Sequence, residues 1–298
     1  MTGILLVDKP EAMTSAGAIR ALRPVLGRTK VGHLGTLDPF ASGLLPLCLG
    51  EATKVARYLL LERKEYTGTI RLGVATDTLD HTGATVETRP VPPLDQAMVD
   101  AVAARFTGSQ QQVPPMYSAL KQGGVPLYKL ARRGIEVARA ARAIDVERLE
   151  LHIRPPDAIE FAVVCSKGTY VRVLAADIGQ ALGTVAHLER LRRVAVGPFR
   201  IADARTPDAL AVLPRAGLPL VPLRTALAAY RTFAVPATQF VRLRHGQQEP
   251  LAALPPPEAP DETALLLDAA GEVVGVIEAD VGRRGWRLVR VLGSDAGE

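Results

Sequence analysis

Apolar and polar positions fall into short runs along the first two thirds of the chain, and glycine or proline closes most of them. Ile4-Leu5-Leu6-Val7 is a continuous apolar run ended by Asp8-Lys9-Pro10, and it predicts a strand. Ser15 is placed to cap a short helix through Leu22, and Pro24 disfavours its continuation. Residues 67–74 and 84–88 predict strands around a turn over 77–83, and 158–165 predicts another. Val171, Leu174, Ile178 and Leu182 recur at helical spacing with Gly183 at the end, so Tyr170 and Arg172 belong to the start of a helix. A helix start presents free backbone N–H groups that can bind or orient an anion.

Alternation of short strands and amphipathic helices points to a mixed α/β (α+β) architecture. From 218 to 236 the chain is punctuated by proline; beyond it, 240–248 and 264–277 predict short strands separated by glycine turns. The expected division is a large domain over 1–230 and a small β domain over 231–298, with 255–261 as a surface loop.

Composition narrows the class. With 298 residues and 48% hydrophobic content the chain can bury a substantial core, and with only 4% aromatic residues that core must rest on Leu, Val, Ile and Ala. Each of the six Tyr and six Phe is therefore worth testing for a role in a loop. No apolar run approaches the roughly 20 residues that span a bilayer, and the chain opens directly into a strand-like segment, so a cytoplasmic location is expected. Cys48 and Cys165 have no CxxC partner and read as buried thiols rather than a metal site or disulfide. The formal charge of +5 is unevenly distributed: residues 1–230 hold 29 Lys and Arg against 21 Asp and Glu, and 231–298 hold 7 against 10. The basic excess of the larger part suits a polyanionic partner.

The most informative segment is Lys30-Val31-Gly32-His33-Leu34-Gly35-Thr36-Leu37-Asp38-Pro39-Phe40-Ala41-Ser42-Gly43. Three glycines and a proline in so short a span give a shaped turn system that can aim a side chain, and Asp38 is the group to be aimed. Read alone, an Asp before Pro also fits a turn or cap residue. Asp77, Asp80 and His81 form the other acidic cluster; between two strands they read as turn residues rather than as metal ligands. His33 and His187 lack the spacing of a zinc pair, and no Walker or dinucleotide glycine motif is present. Lys9, Lys30, Lys54, Arg192 and Arg193 read individually as solvated charges and together as phosphate contacts.

The stretch from Lys30 to Lys54 resembles the catalytic motif of the tRNA pseudouridine synthase B family. Further matches follow in order: Gly3 to Pro10, Lys64-Glu65-Tyr66, Gln112 to Lys121, Cys165 to Arg172, Ala186-His187-Leu188 and Leu191-Arg192-Arg193. The match is to the free-standing bacterial type rather than to its guide-RNA-dependent relatives. Leu34 departs from the small or hydroxyl residue usual there, and Phe40 is bulkier than the usual aliphatic.

The resemblance implies a mixed, largely antiparallel catalytic sheet with a small C-terminal PUA-like RNA-binding domain, in which Arg242 and Arg244 are the obvious RNA contacts. It also implies isomerisation of the uridine at position 55 of the tRNA T-loop, with no cofactor and no metal. Asp38, Tyr66 and Arg172 would be catalytic: Asp38 as nucleophile, Arg172 keeping it ionised, and Tyr66 stacking on the flipped uracil. His33, Tyr66, Tyr170, Leu191, Lys9 and Pro10 would bind substrate, with His33 filling the space the flipped base leaves in the RNA loop. The implied partner is a tRNA T-arm, with no membrane and no required protein partner, and the protein is expected to be a monomer. The alternative is a noncatalytic tRNA-binding and folding chaperone. A generic glycosidase needs two flanking carboxylates, and no second acidic motif of comparable quality stands out.

Overall fold

A computed structural model describes residues 1–60, 62–280, 282 and 285–293. Ten strands form one mixed sheet among these residues. Its main path runs Leu220–Val221, Gly3–Lys9, Ser42–Leu49, Ala186–Val196, Lys64–Leu72, Ala158–Cys165, Arg142–Arg154 and Gly108–Gln112. Every neighbour on this path is antiparallel except Ser42–Leu49 against Ala186–Val196, where Ser42 lies opposite Arg192 and Gly43 opposite Arg193. That parallel contact is the centre of the molecule, because it joins the exit of the glycine-rich loop to the Leu191-Arg192-Arg193 segment.

Gly43 makes the approach possible. Its φ is +103°, and a Cβ there would lie 2.3 Å from the Arg193 carbonyl oxygen, so only glycine fits.

The longer helices pack in the larger of the two main cores. The helix Val171–Ala181 buries Val171, Leu174 and Ile178 against Ile70, Leu188 and Leu191, and Gln96–Arg105 buries Val99 and Val102 in the same core. Gly183, at φ +82°, ends the first of these as its sequence predicts. The N-terminal helix spans Ser15–Ala21 and is capped by Thr14, whose Oγ1 accepts from Gly17 N at 2.8 Å. Ser15 is therefore not the cap; its hydroxyl is turned inward to the Asp38 loop.

The C-terminal sheet contains Arg231–Ala234, Thr263–Leu267, Val273–Asp280 and Gly285–Val291. Its Leu265, Leu267, Val273 and Val276 share a second core with Ile4, Leu6, Leu34, Leu44 and Cys48, and with the short helices Ala56–Leu60 and Leu223–Ala226. Leu34 is fully buried there, so this departure from the family pattern packs away from Asp38. The strand expected over 240–248 is instead part of the helix Ala237–Arg244. Phe240 and Leu243, three residues apart, pack inward, while Val241 is exposed and Gly246 ends the turn at φ +85°. The short strands and glycine turn expected over 264–277 are present as Thr263–Leu267 and Val273–Asp280, joined by a turn at Asp268 to Gly271.

Candidate active site

Asp38 stands on a loop fixed from three sides. The buried Ser15 hydroxyl accepts from Leu37 N at 2.9 Å and donates to Leu37 O at 3.1 Å. Ala41 N donates to the Asp38 carbonyl at 3.1 Å, closing a turn over Pro39. Behind the loop, Lys9 is fully buried, and its ammonium donates to Pro10 O, Met13 O and Pro39 O at 2.9, 2.7 and 3.3 Å. Burial lowers its pKa to about 8, against a smaller opposing pull from Asp38. This corrects the expectation for Lys9: its charge is spent on three carbonyls and does not face a phosphate. Pro10 is exposed, with its carbonyl turned to Lys9.

Arg172, the second residue of its helix, brings the remote segments together. Its Nε lies 3.0 Å from Asp38 Oδ2 and its Nη1 3.3 Å from Asp80 Oδ2. Nη1 also donates to Thr78 O at 2.8 Å, and Nη2 to Tyr117 O at 2.7 Å. A guanidinium satisfied on every side holds one geometry. Asp80 is itself fixed by Thr78 Oγ1, Thr82 N and Thr82 Oγ1. The turn expected over 77–83 is present, but its second aspartate is a buried carboxylate of the site, so the second acidic group that sequence reasoning missed is Asp80. Burial pushes the Asp38 carboxyl up from its ordinary value, Arg172 pulls it back down, and the Asp80 charge adds to the upward push.

Tyr170 precedes the helix and is locked by Gln112: Tyr170 N donates to Gln112 Oε1 at 2.8 Å, and Gln112 Nε2 donates to Tyr170 O at 3.1 Å. Tyr66, half-buried on the strand Lys64–Leu72, lies opposite Arg193 and Val163 in the sheet. Burial raises its phenol pKa, while the Arg193 charge lowers it. Asp38, Tyr66, Tyr170, Arg172 and Leu191 together line a cavity of about 270 Å³.

Asp38 also faces a second cavity, of about 620 Å³, with His33, Phe40, Tyr117, Tyr128 and Arg132 on its walls. His33 is half-buried; burial first and Arg193 second lower its pKa, and its Nδ1 has no hydrogen-bond partner among the described residues. Tyr128 and Arg132 belong to an arm over 121–142 that the sequence reading did not single out. Its signal was available, since those residues hold six Lys and Arg against one Glu.

The remaining expected cations divide. Lys30 is exposed. Arg192 is bonded to both oxygens of Asp8, at 3.1 and 2.7 Å, and Lys54 pairs with Glu51 at 2.7 Å. Arg193 is buried and donates inward, so it is not the solvated phosphate contact expected of it, whereas Arg242 is exposed and paired with Glu249. Cys48 and Cys165 are buried free thiols, pushed up to about 12 and about 11. No group of three or more His, Cys, Asp or Glu among the described residues is arranged to hold a metal ion, and no described helix is long and apolar enough to cross a membrane.

Residues 23–171 match the family model for the N-terminal domain of TruB family pseudouridylate synthases, and 172–214 match that for the tRNA pseudouridylate synthase B C-terminal domain. The chain is 52% identical over 212 residues to a tRNA pseudouridine synthase B of Aromatoleum aromaticum, covering 71% of this chain and 68% of that one. It is 46% identical over 279 residues to the protein of the same name from Burkholderia lata, covering 93% and 86%. Among solved structures, a Cbf5-Nop10-Gar1 complex contains a chain with the same fold at a TM-score of 0.72 and 22% identity, covering 97% of this chain and 84% of that one. An H/ACA RNP bound to a substrate RNA containing 2'-deoxyuridine gives 0.71 and 20%, covering 99% and 86%.

Proposed function

The chain belongs to the TruB family of pseudouridylate synthases, isomerases acting on tRNA, and from that premise we propose that its target is the uridine at position 55 of the T-loop and that Asp38 is the nucleophile. The observation that carries this reading is the Asp38–Arg172 pair: a carboxylate open to a cavity is held by a guanidinium that is buried and fully bonded. Such a pair keeps the carboxylate ionised and aimed without lending it to a metal.

Uridine and pseudouridine have the same atoms. The N1–C1′ bond breaks, its electron pair leaves with the uracil, the ring turns, C5 bonds to C1′, and the proton displaced from C5 is matched by one gained at N1. Nothing is oxidised or reduced, so the balance of the reaction calls for no cofactor. Asp38 supports departure of the base by reaching the sugar or the ring. Tyr66 and Leu191 bound a cavity in which a base taken out of its stack is held while it turns. Tyr170 would lie against the same base. His33, on the wider cavity beside Asp38, would fill the gap in the RNA loop, and the basic arm over 121–142 would contact phosphates. The protein is proposed to act as a monomer without a required protein partner. The C-terminal sheet, beginning at Arg231, is proposed as the PUA-like module of a division at 230/231.

The test is incubation with an unmodified tRNA transcript followed by carbodiimide modification and primer extension. A stop at the T-loop uridine is the expected result; stops at other uridines with none in the T-loop would overturn the assignment of position.

A further inference from the structure

Arg193 is 1% exposed, yet it lines the same cavity as Asp38 and Tyr66. Its Nε donates to Leu44 O at 2.7 Å and its Nη2 to Gly35 O at 3.0 Å, which ties the loop that carries Asp38 to the strand beside it. It also lies opposite Tyr66 in the sheet, where its charge pulls the phenol pKa down against burial. What it lacks is a counter-ion: among the described residues no carboxylate pairs with Arg193, whereas Arg172 has two. A buried guanidinium that bonds only neutral groups is an expensive arrangement unless negative charge arrives beside it.

Such charge arrives during the reaction. When N1–C1′ breaks, the bonding electrons stay with the detached uracil, spread over N1 and the ring carbonyl oxygens, until C5 attacks C1′ and a proton is regained. We propose that Arg193 is the cation that stabilises this detached uracil anion, through its own field across the cavity it shares with Tyr66. A group of this kind contributes most where water is excluded and its orientation is already set, and its two backbone bonds set it here. The inference rests on the reading of this cavity as the uracil site, and it assigns to a residue that looks structural a share of the charge stabilisation.

Arg193→Lys keeps the charge and loses the fork; Arg193→Gln keeps a donor and loses the charge. Both are compared with wild type in single-turnover pseudouridine formation at saturating enzyme, alongside T-arm binding and thermal unfolding. The expected result is a loss of about 100-fold for Arg193→Gln and about 10-fold or less for Arg193→Lys, the range set by removal of one preorganised charge-stabilising donor. Binding should change by less than about threefold in both. The same pair is then run on a T-arm carrying 5-fluorouridine, whose ring bears negative charge more readily, and consumption of substrate is followed; the Arg193→Gln deficit should shrink at least about fivefold. Equal rates for the two variants, or a deficit the same with both substrates, would overturn the proposal and leave Arg193 as a structural tie. If Arg193→Gln does not fold, a wild-type-like stability with a 100-fold rate loss in Arg193→Lys would overturn it equally, because the charge would then be retained without effect. Failure of wild type itself to convert the uridine would instead count against the reading of the site.

Discussion

Arg172 and Asp38 are bonded at 3.0 Å, but only one of them is accessible: the arginine side chain is 5% exposed and the aspartate 39%. The proposed nucleophile is thus reachable while its orienting cation is not, which is the order such a role requires. Arg172→Lys keeps a charge but loses the bonds to Thr78 O and Tyr117 O along with the Asp38 contact. The expected outcome is a fall in single-turnover rate of about 100-fold or more with tRNA affinity within a few-fold, measured by rapid quench and filter binding.

Activity should also report the Asp38 proton. Its carboxyl is pushed above the ordinary aspartate value by burial, with Asp80 contributing in the same direction. In the proposed reaction the ionised form acts, so the rate should fall as pH drops through a midpoint above the ordinary aspartate value. Asp80→Asn removes one charge that raises this midpoint, and the acid limb of its rate profile should move to lower pH even if the plateau is reduced.

Ser15 offers a test of the loop's support. Ser15→Ala strips Leu37 N of its acceptor in a buried place, and about 1–3 kcal/mol of stability should be lost in urea unfolding. A turnover loss larger than the stability loss explains is expected, because Leu37 is the residue before Asp38.

Much of this site is legible in the sequence, and the exceptions share a cause. Glycine spacing places Asp38 on a shaped loop and helical periodicity places Arg172 at a helix start, and the family resemblance is what pairs them. Asp80 was not legible, since Asp-Thr-Leu-Asp-His-Thr-Gly satisfies a turn equally well whether or not its aspartate is buried. Lys9 and Arg193 read as solvated because a lysine or arginine gives no sequence signal that it will be buried on backbone carbonyls, whether near, as Pro10 O and Met13 O, or far, as Leu44 O and Gly35 O. In 240–248, the alternation Val-Arg-Leu-Arg imitates a strand, and only the packing of Phe240 and Leu243 on one side reveals the helix.

Lys9 gives the clearest check on that correction. Lys9→Met should leave the dependence of tRNA affinity on salt unchanged, since its ammonium meets only carbonyls. Arg132→Gln, on the exposed arm, should reduce the slope of log affinity against log salt by about 0.7–0.9, the value of one phosphate contact. Binding isotherms over a salt series decide between them.

The central claim is that Asp38 is the nucleophile, and the most direct measurement is pseudouridine formation by wild type and Asp38→Asn on an unmodified T-arm hairpin, with binding of each measured in parallel. The account predicts full conversion by wild type and no product from Asp38→Asn despite retained binding. Turnover by Asp38→Asn close to wild type would contradict it, and tight binding without conversion by either protein would favour a tRNA-folding role in its place.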